Sequence, residues 1–120
     1  MSASVPANGM TARGHRALLK TIALYERRPD AHDFYSWFHL QFNARTDCAC
    51  PLAWIGHYAR LKGGDYERME GAARLIGFAT VLDFYDAGEA PGGPGTRWAI
   101  ADYSKALRLL KRIARRKVKA

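Results

Sequence analysis

Apolar positions recur every three or four residues along most of this chain, the spacing of one helical face. Leu18, Leu19, Ile22 and Tyr25 keep that spacing, with His15 on the same stripe. Thr11 stands where an N-cap belongs, so a helix is predicted through about Arg28, ended by Pro29 and Asp30. A second helix should begin at Pro51, whose missing N–H has no intrahelical partner in a first turn, and stop at Gly63-Gly64. Between them Leu52, Trp54, Ile55, Tyr58, Ala59 and Leu61 leave only His57 and Arg60 as polar positions. A helix apolar nearly all round belongs at the centre of a fold.

Asp65 opens a third helix with Met69, Ala72, Ala73 and Ile76 on one face. Gly77 ends it, and Phe78 is placed to pack back on the last turn. Thr80 and Asp83 have capping-box spacing before a short helix through Phe84 and Tyr85. The glycine- and proline-rich segment 87–95 reads as a mobile loop. Thr96 then caps a last helix over 97–119, with Tyr103, Ala106, Leu107, Leu110, Ile113, Ala114 and Val118 as its apolar stripe. "HDFYSWFHLQF" fits both periods: its alternation allows a short strand at 34–42, and Phe34, Trp37, Phe38 and Gln41 also share a helical face.

The fold class expected is all-α: a single domain of four to six helices packed around the apolar helix at about 51–61. Residues 1–10, small and without period, are expected to be a disordered arm, and 11–120 the helical domain. A chain of 120 residues that is 48% hydrophobic fits one such core. The N-terminus carries no basic and apolar signal-peptide regions, and no apolar run approaches a membrane span, so a cytoplasmic protein is the default expectation.

Charge changes the picture once it is located. The formal net charge is +8, and residues 1–104 hold 11 Lys and Arg against all 11 acids. The excess therefore lies from Lys105 onward. On a helix, Lys105, Arg108, Lys111, Arg112, Arg115, Arg116 and Lys119 fall within an arc of about 140°, opposite the apolar stripe. A few cations near a helix C-terminus complement the dipole, but seven on one face repel one another at i,i+4. These seven are the candidate binding residues, for nucleic-acid phosphate, a nucleoprotein complex or an acidic protein surface. A solvated, solubilising face is the competing explanation. No zinc finger, RNP-type aromatic motif or helix-turn-helix is present, so nucleic-acid contact would be directed at the backbone.

Both cysteines lie in "TDCACPLAWIGHYARLKGG". A metal site is not expected, because Cys50 and His57 are two helical turns apart and no further ligand pair completes four. Bringing Cys48, Cys50 and His39 together would still supply only three ligands. No cofactor motif is found either. Cys50 at a helix N-terminus could be an activated thiol, and as a buried residue it could equally be packing material.

The same stretch resembles the Asp-Cys-small-X-Leu helix start of cell-wall cysteine endopeptidases, which would make Cys48 the nucleophile behind Asp47. The chain departs from that pattern: His15, His32, His39 and His57 all lie at or before this helix, whereas the family's base is well downstream. A cysteine-dependent hydrolase using Cys48 or Cys50 is thus the alternative function. A broader resemblance is to small helical accessory proteins of phages and high-GC bacteria. It rests on Trp37, "CACPLAWIGHYARLKGG", "AARLIGF" and "VLDFYD", and implies no catalytic residues. The function expected is a non-catalytic accessory protein that binds an anionic partner, an inhibitor of a host defence complex being one version.

Overall fold

Thr11 starts the first helix as its position predicts. Its side chain accepts a hydrogen bond from the Gly14 N–H at 2.9 Å, relieving one of the four donors that a helix start leaves unpaired. The structure, a computed structural model, describes residues 9–33, 47–87, 102–116 and 118. These form five helices: α1 (Ala12–Arg27), α2 (Pro51–Tyr58), α3 (Asp65–Leu75), α4 (Val81–Ala87) and α5 (Tyr103–Ala114), with a 3-10 turn at Pro29–Ala31. No strand occurs among the described residues, only two isolated bridges, Met10 with Val118 and His32 with Ala49. The all-α expectation holds, and the possible strand at 34–42 lies outside the described residues.

The central position of α2 follows from its composition. Pro51 to Gly56 are all buried, and α2 packs against both α1 and α3. Trp54 is fully buried, donates its indole N–H to the Ala31 carbonyl at 2.9 Å, and stacks on Tyr58. The turn after α1 is held against the start of α2 by more than this bond. Ala49 N–H reaches Ala31 O at 2.9 Å, and the buried Tyr25 hydroxyl donates to Ala49 O, also at 2.9 Å.

Two helix ends share one hydrogen-bond scheme with different residues. At the end of α3, Gly77 has φ 97°, and the N–H groups of Phe78 and Gly77 return to Ala73 O and Arg74 O. That is the predicted Schellman closure. At the end of α2, Leu61 N–H returns to Gly56 O and Arg60 N–H to His57 O, both at 3.0 Å. There the left-handed position is Arg60, with φ 60°. An arginine in that conformation costs roughly 1–2 kcal/mol that glycine would not. So α2 stops at Tyr58, three residues earlier than the Gly63-Gly64 signal predicts.

Smaller departures have equally local causes. Leu19 is 46% exposed, because Ala17, Leu18, Thr21, Ile22, Leu24 and Tyr25 already fill the buried face of α1. Met10 is buried against the core and bridges Val118, so it is not part of a free arm. The last helix is capped by Asp102, which accepts from Lys105 N–H at 2.9 Å, and it ends at Ala114 rather than 119. Thr96 lies outside the described residues.

Candidate anion-binding surface

On α5 the two faces separate sharply. Ala106, Leu109, Leu110 and Ile113 are buried, with Tyr103, Leu107 and Ala114 packed at the margins. Leu109 belongs to this face although the sequence stripe passes over it. Two contacts set the helix antiparallel to α1: the Tyr103 hydroxyl donates to Tyr25 O at 2.7 Å, and His15 Nε2 lies 3.2 Å from Ala114 O. The side of α5 facing outward is therefore fixed by packing.

That outward side carries Lys105, Arg108, Lys111, Arg112 and Arg115, all exposed, over an arc of about 120°. They differ in what holds them. Lys111 Nζ pairs with Glu26 on α1 at 2.7 Å, and Arg112 donates to Ala87 O at the end of α4 at 3.0 Å. Lys105, Arg108 and Arg115 have no carboxylate within ion-pair distance among the described residues. Arg116 is half-buried at the rim, and burial first, then the charge of Arg112, lowers its pKa. Lys119 lies outside the described residues. The structure thus brings five of the seven candidates onto one exposed face and sets a sixth at its edge.

Sequence reasoning missed a second cationic row. Arg13, Arg16, Lys20 and Arg27 are all exposed on α1, and at 100° per residue they occupy only about 60° of arc. The i, i+3, i+7, i+14 spacing was the available signal. It was hidden by counting charge along the chain: Glu26 lies toward α5, and Asp65, Glu67, Glu70, Asp83 and Asp86 all lie on α3 and α4.

The cysteines have a different setting. Cys50 is the N-cap of α2 and completely buried, and burial pushes its thiol up to about 11. The N–H groups of Ala53 and Leu52 and the Tyr85 hydroxyl pull the other way without overcoming it. Helix-start activation therefore loses to desolvation. Cys48 is half-buried, and its Sγ lies 3.6 Å from Asp33 Oδ2. Among the described residues no three His, Cys, Asp or Glu side chains converge as metal ligands; His39 lies outside them. Among those residues, too, no helix is long and apolar enough to cross a membrane.

His57 contributes one pH-dependent part of the stability. Burial, followed by the nearby Arg68 charge, lowers its pKa from the ordinary 6.5. The unfolded chain then takes up a proton that the folded chain resists, so this contribution is complete above pH 6.5 and is lost as pH falls below it. Thermal melts from pH 7.5 to 5 should show the wild type losing stability faster than His57→Gln. Parallel curves for the two chains would rule this source out.

Compared with protein families, curated proteins and solved structures, the chain matches none.

Proposed function

We propose that this chain is a non-catalytic binding protein whose α5 face docks on a polyanion, with the phosphate backbone of nucleic acid as the favoured class. The observation behind this reading is the trio Lys105, Arg108 and Arg115, exposed on one face and without carboxylate partners among the described residues. Like charges one turn apart destabilise a helix by about 0.2–0.5 kcal/mol per pair, and a row of phosphates relieves that repulsion. Each phosphate neutralised also releases condensed counterions. With 12 residues α5 is about 18 Å long, the rise of roughly five base pairs. The accessory role, including inhibition of a host defence complex, belongs to the same proposal and predicts a stable complex between this chain and such an assembly.

The test is fluorescence anisotropy of a labelled generic duplex titrated with protein between 50 and 200 mM salt. Five contacts give a slope of about −4.5 in log K against log salt, a loss of several hundred-fold over that range. The triple variant Lys105→Gln/Arg108→Gln/Arg115→Gln should flatten the slope by about 2.7. Binding of an acidic polypeptide but of no duplex would replace nucleic acid with an acidic protein surface. Binding of neither would leave α5 a solvated face and end the proposal.

A further inference from the structure

Beyond the α5 face, a separate cleft of about 280 Å³ opens where the first half of α1 meets the end of α2. Arg13, Arg16 and Lys20 line it from α1, and Tyr58, Ala59 and Arg60 from the end of α2. It therefore holds four cationic side chains, and none has a carboxylate within ion-pair distance among the described residues.

Two features of this cleft run against what folding alone favours. Arg13 sits in the first turn of α1, where the helix dipole disfavours cations, and that turn holds no acid. Arg60 takes the left-handed cap position that Gly77 fills in the matching closure of α3. The fold reaches the same hydrogen-bond scheme with glycine, so the arginine side chain is superfluous to the cap itself. A third feature holds one of the donors in place: Arg13 donates from Nε to the Ala59 carbonyl at the end of α2 at 2.9 Å, with Nη2 on the same oxygen. That contact restrains its guanidinium at the cleft and leaves its remaining N–H groups for another acceptor.

The geometry points to a binding site for a phosphate monoester. The dianion satisfies several guanidinium and ammonium donors at once, with arginine presenting paired N–H groups to paired oxygens. The volume falls just below the small end of the range for ligand pockets, roughly 300–1,000 Å³, which suits a phosphate carrying a sugar or nucleoside. A free mononucleotide and the 5′-phosphate end of a nucleic-acid strand offer the same chemistry. This site does not depend on α5 binding anything.

Amide chemical shifts followed by NMR during titration with inorganic phosphate, 5′-AMP, and one short single strand with and without a 5′-phosphate test the site. The expected result is saturable shifts centred on Tyr58 to Leu61 and on the start of α1. Arg60→Gly should keep the cap, with a melting temperature equal to or above wild type, yet weaken phosphate binding by about tenfold or more. Arg16→Gln/Lys20→Gln should weaken it likewise, whereas the α5 triple variant should leave it unchanged. Tighter binding of the phosphorylated strand than of 5′-AMP assigns the site to strand ends; equal affinities assign it to a small phosphorylated molecule. Unsaturable shifts spread over α1 and α5 alike, or unchanged affinity in Arg60→Gly, would overturn the inference.

Discussion

Gly14→Ala is expected to destabilise the chain by about 2–4 kcal/mol, although alanine is the better helix former by nearly 1 kcal/mol. A Cβ at this position would lie 2.2 Å from the Leu75 carbonyl oxygen and 2.6 Å from its carbon. Both atoms are backbone, so no rotamer change relieves the clash. Helix α1 would have to withdraw from the end of α3. That withdrawal breaks a second tie, because Thr11 N–H and Oγ1 both donate to the same Leu75 oxygen, at 2.9 and 3.2 Å. Thermal denaturation followed by far-ultraviolet circular dichroism should show a drop of roughly 10 °C for a loss near 3 kcal/mol. A variant melting with or above the wild type would mean that helix propensity outweighs the close approach.

Trp54→Ala should be at least as damaging, at about 3–5 kcal/mol, a large part of the 5–15 kcal/mol that stabilises an ordinary domain. The indole is fully buried, stacks on Tyr58 with ring centroids 5.9 Å apart, and meets the His57 ring edge-on at the same distance. Trp54→Phe separates packing from hydrogen bonding. The Ala31 carbonyl keeps the Ala49 N–H when the indole donor is lost, so no buried acceptor is orphaned. The phenylalanine variant should therefore lose only about 1–2 kcal/mol, most of it from the smaller ring. Urea unfolding of both variants checks the order. A phenylalanine variant as weak as the alanine one would give the hydrogen bond the larger share.

The same residues show what the sequence makes legible. Glycine at a helix end is a strong signal, and the closure of α3 by Gly77 and Phe78 was readable from it. The closure of α2 was not, because an arginine carries no mark of a left-handed backbone, and prediction ran on to the next glycines. The outward face of α5 followed from 100° arithmetic, since its apolar and basic positions barely overlap. The cationic row on α1 stayed hidden because neutrality along a chain says nothing about neutrality in space. Gly14 gave no hint of its tight contact, for the partner is Leu75, distant in the chain. At Cys50 two principles competed, and only the three-dimensional burial decides between a helix-start thiol and a packed one.

The pairing of Met10 with Val118 has a practical consequence for anyone handling this molecule. Met10, just before α1, and Val118, four residues past the end of α5, lie side by side. A fluorophore attached at Val118, three residues from Arg115, would thus crowd the α5 face and depress any affinity measured there.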